Sequence, residues 1–202
     1  MPKTKSPIPN KADAVETICT ALLNGDSVKA QKLARSECPF QFQEKERRQI
    51  TAIQALKLFW RDGFMDRYSG QRLVFPGILR VLSKRLPKEF PYHRNWKMSE
   101  CHIAYYELSP TIDHVIPIAR GGLDDESNWV TTSMLRNSAK ANWTLEELGW
   151  KLVPSGNMKN WDGLVHMYIE LMESQPKFLQ DKTLLNWHKL AQQVLHAQHS
   201  QS

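Results

Sequence analysis

Apolar residues in the first 60 positions recur at the three- and four-residue spacing of amphipathic helices. The Asn-Gly pair at positions 24–25 offers an end to the first helix, and Asp26 or Ser27 can cap a second. We therefore expect a helical hairpin over residues 11–37 and a third helix that ends near Gly63. The apolar positions that define these helices are Val15, Ile18, Cys19, Leu22, Leu23, Ile50, Ile53, Leu56, Phe59 and Trp60.

The rest of the chain shows further helical patterns, interrupted by prolines and glycines. One helix is expected at about residues 78–86, and a Thr-x-x-Glu capping box at Thr144 and Glu147 predicts the start of a short one. Residues 101–106 alternate as a strand would, which favours a packed Cys101 and an ordinary histidine after it. Two C-terminal amphipathic helices are predicted from Leu164, Val165, Tyr168, Leu171 and Met172, then from Leu184, Leu185, Trp187, Leu190, Val194 and Leu195.

Residues 111–143 carry the most informative pattern. A β-branched strand begins at Thr111, runs into a Gly-Gly loop, and is followed by a second strand over residues 129–132. A helix is expected at residues 134–141. The polar residues of this unit lie at the strand end, the loop exit and the helix face, where side chains from separate elements could converge on one ion.

Composition limits the classes to which the chain can belong. The chain has 202 residues, of which 41% are hydrophobic and 24% charged. A chain of this length and composition can bury a hydrophobic core without disulfide bonds or a structural metal, which excludes disordered and collagen-like proteins. No apolar run approaches the roughly 18 residues of a membrane span, and no signal peptide is evident. We expect a soluble, cytoplasmic protein with no membrane partner. The three cysteines form no Cys-x-x-Cys pair, so neither a disulfide framework nor a thiolate zinc site is expected.

Positive charge is concentrated in one segment. The chain has 27 Lys and Arg against 21 Asp and Glu, a net charge of +6. Residues 44–97 contain 13 of the basic and 5 of the acidic residues, a local charge of +8. Such a segment suggests a polyanionic partner, most simply nucleic acid, although a solvated surface explains the charge equally well.

The polar residues between positions 113 and 137 suit phosphodiester hydrolysis. That reaction needs an attacking water to lose a proton and negative oxygens to be neutralised, which an imidazole and a divalent cation can do. Magnesium takes one or two protein oxygens, such as an Asp carboxylate and an Asn carbonyl. Asp113 and His114 would point to opposite faces of a regular strand, so they share a site only if the strand ends or bulges there.

The spacing of these residues resembles the signature of HNH endonucleases. Asp113-His114 is followed after fourteen positions by Asn128 and after nine more by Asn137, and the Pro and Gly-Gly positions of the loop agree as well. The match covers about 30 residues. The resemblance implies an α+β fold in which a ββα-metal core is flanked by N-terminal and C-terminal helices.

Carried over residue by residue, the resemblance implies that His114 is the general base. Asp113 and Asn137 would hold Mg²⁺ or Mn²⁺, and Asn128 would tie the loop to its own backbone and so orient His114. An amide ligand argues against zinc or nickel as the catalytic ion. The basic residues that we expect to contact nucleic acid are Arg120, Arg136, Lys140, Lys84 and Arg85.

One departure from the family concerns zinc. Many HNH proteins carry Cys-x-x-Cys pairs that bind a structural zinc, and residues 61–70 resemble the surroundings of the first pair. Asp66 and Arg136 stand at two of the thiolate positions. They either form an ion pair across the aligned zinc position or are unrelated surface charges. No structural zinc is expected, so packing has to replace it. The four thiolate positions of this alignment are Asp66, Ser69, Ser133 and Arg136.

The resemblance implies a metal-dependent endonuclease that hydrolyses DNA. Its setting could be restriction, phage defence, a mobile element or DNA processing, and the chain gives an overall impression of uncharacterised bacterial HNH proteins. Two other hypotheses stay open, namely a catalytically silent HNH module that binds nucleic acid and a scaffold for protein interaction. The choice between DNA and RNA, the target sequence, nicking or double-strand cleavage, and the oligomeric state are left open.

We expect four regions along the chain. Residues 1–10 form a flexible tail, and residues 11–60 form an N-terminal helical region. Residues 61–160 form the HNH core with an insertion. Residues 161–202 form the C-terminal helices.

Overall fold

A computed structural model describes residues 11–39 and 50–199. The expected N-terminal tail, residues 1–10, lies outside the described residues. The described part is mixed α and β, as predicted, with nine α-helices and one two-stranded antiparallel sheet. Of these helices, none combines the length and the apolar character that crossing a membrane requires.

The chain divides into two compact units, Met1–Arg47 and Arg48–Ser202. The first unit contains the predicted helical hairpin, formed by α1 (Lys11–Leu23) and α2 (Ser27–Glu37). The Asp26 carboxylate caps α2 by accepting a hydrogen bond from a backbone N–H of its first turn, at 2.9 Å.

The second unit contains the sheet and the remaining described helices. Local sequence sets several boundaries, because Thr51 and Gln54 form a capping box at the third helix and Thr144 and Glu147 form the predicted one at the seventh. The elements are α3 (Ala52–Arg61), α4 (Pro76–Arg85), α5 (Ala104–Leu108), β1 (Pro110–His114), β2 (Trp129–Ser133), α6 (Met134–Lys140), α7 (Leu145–Leu148), α8 (Val165–Ser174) and α9 (Lys182–His199).

The core of the second unit is built from α3, α4, α8 and α9. Leu56 and Phe59 of α3 are buried beside Tyr168 and Met172 of α8, as their helical spacing predicts. Because α3 also packs against both strands, the sheet lies directly against this helical core.

The unit that carries the polar residues has the order strand, loop, strand, helix. Strands β1 and β2 pair antiparallel, with Asp113 opposite Val130 and His114 opposite Trp129. Helix α6 follows β2 without a break, because the Ser133 hydroxyl caps it by accepting the N–H of Arg136 at 3.1 Å. Strand β1 ends at His114, and both Asp113 and His114 pair in regular register with β2.

The strand predicted for residues 101–106 is wrong. The segment instead leads into α5, in which Ala104, Tyr105 and Tyr106 are buried one after another. A six-residue alternation is too short to separate a strand from one turn of buried helix. Cys101 is packed as expected, since it is buried and its sulfur accepts the N–H of His93 at 3.1 Å.

Candidate active site

Asn128 closes the loop between β1 and β2. Its Oδ1 accepts the N–H of Ile116 at 2.8 Å, and its Nδ2 donates to the carbonyl oxygens of Ile116 and Leu123, both at 2.8 Å. These three bonds join the two ends of the loop through one buried amide side chain. The loop therefore holds the chain that follows His114 in a fixed conformation.

Gly122 is required by the same loop. A Cβ at this position would lie 1.9 Å from the Ile116 carbonyl oxygen and 2.8 Å from Nδ2 of Asn128. The residue before it, Gly121, has a φ of 85°, in the left-handed region that glycine adopts without strain. The Gly-Gly pair thus permits the close approach on which the Asn128 bonds depend.

The imidazole of His114 is held through one of its two nitrogens. Its Nε2 lies 2.6 Å from Oδ1 of Asp124 and 2.9 Å from Nε1 of Trp129, and the Trp129 N–H also lies 3.1 Å from the same carboxylate oxygen. A contact of 2.6 Å to a carboxylate requires a proton between the two atoms, so we assign Nε2 as protonated, with both N–H groups directed at Asp124. Nδ1 then carries the lone pair and, among the described residues, has no hydrogen-bond partner.

Asp113 is buried to a degree similar to that of His114. Its Oδ2 accepts a hydrogen bond from the Tyr68 hydroxyl at 2.6 Å and lies 3.0 Å from the ammonium nitrogen of Lys140. Burial, together with the hydrogen bond to Asp113, raises the pKa of the Tyr68 hydroxyl well above its ordinary value, so Tyr68 acts as a donor. Asp113 is therefore held in place by one cation and one hydroxyl.

Lys140 differs from its expected role as a phosphate contact. Its side chain is fully buried, and its Nζ donates to the carbonyl oxygen of His114 at 2.7 Å while pairing with Asp113. An ammonium enclosed in this way is out of reach of a DNA phosphate. We therefore assign Lys140 a structural role within the site rather than a contact with nucleic acid.

Asn137 brings α6 onto β1. Its Nδ2 donates to the carbonyl oxygen of Ile112 at 3.1 Å, which places the amide next to the residue that precedes Asp113. In residues 11–39 and 50–199, no three His, Cys, Asp or Glu side chains are grouped so that they could hold a metal. Any cation at this site would need Asn oxygen and water as well as carboxylate.

The donor set fits magnesium on chemical grounds. Oδ1 of Asp113 and Oδ1 of Asn137 have no hydrogen-bond partner within the described part of the chain, and both are hard oxygen donors. Mg²⁺ is commonly held by one or two protein oxygens, with water and substrate phosphate as the other ligands. The ammonium of Lys140 lies close to the same carboxylate and would weaken the attraction for a second cation.

A buried carboxylate occupies one of the positions that the HNH resemblance aligns with zinc-binding thiolates. Asp66 is fully buried and accepts hydrogen bonds from the N–H groups of Tyr68, Ser69 and Ser133 at 2.9, 3.1 and 2.9 Å, and from the Thr132 hydroxyl at 3.0 Å. These bonds tie the turn after α3 to the end of β2. We call this network the Asp66 joint.

The ion pair considered between Asp66 and Arg136 is not formed. The Arg136 guanidinium lies over the Trp150 ring, 5.2 Å from its centroid. The four aligned positions are instead linked by hydrogen bonds, since Asp66 accepts from Ser69 and Ser133, and the Ser133 hydroxyl accepts from Arg136.

The other basic residues expected to contact nucleic acid are partly engaged within the protein. Arg120 lies 3.3 Å from a carboxylate oxygen of Glu147. Lys84 forms an ion pair of 2.7 Å with Asp181, and the Arg85 guanidinium lies over a phenyl ring at 5.6 Å. The side chains of Arg120 and Lys84 remain partly exposed. More of the expected basic side chains have partners within the protein than the sequence suggests.

Sequence reasoning did not assign the partners of the site to it. Tyr68, Asp124 and Trp129 contact Asp113 or His114, yet Tyr68 is 45 positions away from Asp113. Asp124 lies within the loop that the motif includes, and an acidic residue there was the one signal that could have suggested a partner for the histidine.

No protein-family model, curated protein or solved structure matches the chain. The HNH resemblance consequently rests on the spacing of the motif residues. The contacts around His114 and Asp113 supply the chemistry from which a function can be proposed.

Proposed function

We propose that the chain is a metal-dependent endonuclease of the HNH type, in which β1, β2 and α6 form the ββα-metal core. The observation that carries this proposal is the contact of 2.6 Å between Nε2 of His114 and Asp124, at the end of the strand that also bears Asp113. A histidine held in this way has its second nitrogen available as a base. The loop bonds of Asn128 support the same arrangement.

In the proposed reaction, Nδ1 of His114 takes a proton from the attacking water. Asp124 keeps the proton on Nε2 and so keeps the lone pair on Nδ1, and it also stabilises the imidazolium that forms. The Trp129 N–H lies 3.1 Å from the same carboxylate oxygen and helps to fix it. Because these contacts exist before substrate binds, little reorganisation is needed during proton transfer.

Asp113 and Asn137 are the residues proposed to hold the ion. A bound Mg²⁺ or Mn²⁺ would neutralise charge on the phosphate oxygens. Lys140 and Tyr68 contact the Asp113 carboxyl group and fix its orientation. Since the Lys140 ammonium competes for the same carboxylate, we expect a weakly bound ion and a requirement for about millimolar magnesium.

The proposed substrate is DNA, which the basic segment would attract through its phosphates. Arg120 and Arg136, on the loop and on α6, are proposed to contact the strand near the site, and Lys84 and Arg85 to contribute at a distance. A cytoplasmic location and a role in restriction or phage defence are part of the same proposal, because both place such an enzyme in contact with DNA.

The direct test is nicking of supercoiled plasmid by the purified protein with and without magnesium. We expect cleavage that requires the metal, and we expect His114→Ala to reduce its rate by about 10² to 10⁴. His166→Ala is the matched control, because His166 is exposed and pairs with Asp162 outside the site. Cleavage by His114→Ala at the wild-type rate would rule out the assignment of the base.

A second candidate function is a catalytically silent module that binds nucleic acid. The Asp113–Lys140 ion pair favours it, because an internal cation already satisfies the carboxylate that should hold the metal. The low exposure of Asp113 and His114, 7% and 6%, also favours it. Saturable DNA binding without cleavage at any magnesium or manganese concentration would select this function over the endonuclease.

A further inference from the structure

A pocket of about 330 Å³ lies in the second unit, apart from the candidate active site. It is formed by α4, the segment before α5, α5 with the residue that follows it, and the first turns of α9. None of its lining residues belongs to the candidate site. They are Pro76, Leu79, Arg80, Tyr92, Arg94, Trp96, Tyr105, Ser109, Thr183 and Trp187.

Arg80 is the most unusual of these residues. Its guanidinium carbon lies 3.6 Å from the centroid of the Tyr92 ring, so the planar group is stacked on that ring. Its Nη1 is buried and is one of two buried side-chain nitrogens without a hydrogen-bond partner in the described part of the chain. A buried donor of this kind normally has a partner. The Arg80 side chain as a whole is among those that line the pocket.

The charge of the pocket is positive. Arg80 and Arg94 both line it, and its described lining includes no acidic residue. Asp181, two positions before Thr183, is held by Lys84 at 2.7 Å. The hydroxyls of Ser109 and Thr183 add neutral polar groups. Two guanidinium groups and hydroxyls favour an anion, and phosphate in particular matches the fork of an arginine.

The walls of the pocket are aromatic. Tyr92, Trp96 and Trp187 offer flat apolar surface beside the arginines, and both tryptophans are partly exposed. Trp96 has a φ of 52°, in the left-handed region, which a residue with a bulky side chain seldom adopts. Backbone strain of this kind is often retained where a side chain has to be held toward a ligand.

We propose that this pocket binds a nucleotide, with its base against the aromatic rings and its phosphate between Arg80 and Arg94. The volume lies at the lower end of the range for small-molecule sites, which suits one nucleotide and excludes a larger cofactor. Stacking of a base on aromatic residues contributes to binding whatever the base, so the pocket is expected to accept several bases. The nucleotide is either free or one unit of a bound strand.

The proposal is tested by calorimetric titration of the full-length protein with deoxynucleoside 5′-monophosphates. The same titration is run with deoxynucleosides and with inorganic phosphate, and the indole N–H signals of Trp96 and Trp187 are followed by NMR. We expect saturable binding of the monophosphate, at least about tenfold tighter than either part alone. A single-stranded oligonucleotide that competes would identify the strand as the source, and a lack of competition would identify the free nucleotide.

Two arginine variants and one control make the test specific. Arg80→Met and Arg94→Met should each weaken binding by about tenfold. Arg94 is exposed, so its variant is expected to fold even if Arg80→Met does not. Arg72→Met is the matched control, since Arg72 also lies over an aromatic ring, that of Trp161, but outside the pocket.

Three results would overturn the proposal. They are the absence of saturable binding at about millimolar nucleotide, phosphate binding as tightly as the nucleotide, and unchanged affinity in Arg94→Met. A monophosphate contains no phosphodiester bond, so these outcomes do not depend on whether the chain cleaves DNA.

Discussion

The protonation of a single imidazole decides whether the candidate site can act as a base. The Asp124 carboxylate, 2.6 Å from Nε2 of His114, favours the tautomer in which Nδ1 is unprotonated. If Nε2 instead accepted a hydrogen bond from Trp129, the imidazole proton would lie on Nδ1. Nδ1 could then not take a proton from the attacking water. The role of Asp124 is therefore to position His114, and its removal should affect catalysis more than binding.

We predict that Asp124→Asn lowers the rate of cleavage at saturating DNA by about tenfold to a hundredfold. The affinity for DNA should hardly change, because His114 and the loop remain in place. Single-turnover cleavage and a separate binding titration in calcium measure the two quantities. Asp125→Asn is the control, since the neighbouring carboxylate accepts hydrogen bonds from the N–H and the hydroxyl of Ser127 and, in the described part of the chain, forms none with His114. Equal losses in both variants would mean that Asp124 has no special role.

At the residue scale, the sequence predicted the polar residues of the motif but not their partners. Asp113, His114, Asn128 and Asn137 follow from spacing within one short unit. The burial of Lys140 could not be predicted, because it depends on Tyr68 and Asp113 forming a closed polar environment around its ammonium. Periodicity reports which face of an element is apolar, not which charges are buried as a pair.

The Asp66 joint connects two elements that lie far apart in the sequence. Its carboxylate accepts four hydrogen bonds, and Ser133, which donates one of them, also caps α6. The turn after α3, the end of β2 and the start of α6 are therefore fixed by one side chain. This is the contact on which the position of Asn137 relative to β1 depends.

We predict that Asp66→Asn destabilises the protein by about 3 kcal/mol, because an amide cannot accept all four bonds and leaves buried N–H groups unsatisfied. Urea unfolding followed by circular dichroism measures the loss. Asp125→Asn serves again as the comparison, since this exposed carboxylate also accepts hydrogen bonds within a turn. A change below about 0.5 kcal/mol in Asp66→Asn would show that the joint contributes little.

A second connection between elements joins α4 to α9. Asp181 pairs with Lys84 of α4 and accepts the N–H groups of Thr183 and Leu184 in the first turn of α9, at 2.9 and 3.2 Å. The hydrogen bond from Lys84 lowers the pKa of the Asp181 carboxyl below its ordinary value, and the bond from the Leu184 N–H acts in the same direction. The carboxylate thus stabilises the folded state only while it is ionised.

Because the pKa of Asp181 is lowered on folding, its contribution is complete above the ordinary aspartate pKa of about 4 and is lost as the pH falls through the folded value. We predict that Asp181→Ala costs about 1 to 2 kcal/mol at neutral pH and that this difference shrinks in acid. Denaturant unfolding of both proteins between about pH 3 and pH 7 checks it. Asp181→Asn, which keeps a helix cap, isolates the ion pair. A difference that does not vary with pH would contradict the assignment.

At the element scale, capping signals and long periodic stretches were reliable guides, and short alternations were not. The capping box at Thr144 and the helices α3, α8 and α9 agree with prediction because each rests on several residues at helical spacing. The strand predicted for residues 101–106 failed because α5 has a single turn, too short for its period to show.

At the scale of the whole molecule, the net charge of +6 favours association with polyanions. The basic segment is the main source of this charge. Within it, Arg61, Arg67 and Lys84 form ion pairs with aspartates of the same chain. The surface of the basic segment is consequently less positive than the count of its basic residues implies. Sequence gives the number of charges, and only the fold shows how many are already paired.

We predict that affinity for random duplex DNA falls steeply with salt and that Arg85→Ala reduces the slope of log K against log salt by about 1. Lys159→Ala, at an exposed position outside the segment, should change the slope less. Fluorescence anisotropy at several salt concentrations measures both. An affinity that does not depend on salt would favour the interaction scaffold over any nucleic-acid partner.

The Asp66 joint also determines what the protein needs from its surroundings. Thiolate knuckles lose their metal when an oxidant converts the sulfur to a disulfide or a sulfenic acid. A carboxylate bonded to backbone N–H groups offers such an oxidant no target, and it is complete as soon as the two chain segments meet, before any ion arrives. We therefore expect the core around Asp66 to assemble without zinc and to tolerate oxidants, two conditions under which a core held by thiolate-bound zinc would unfold.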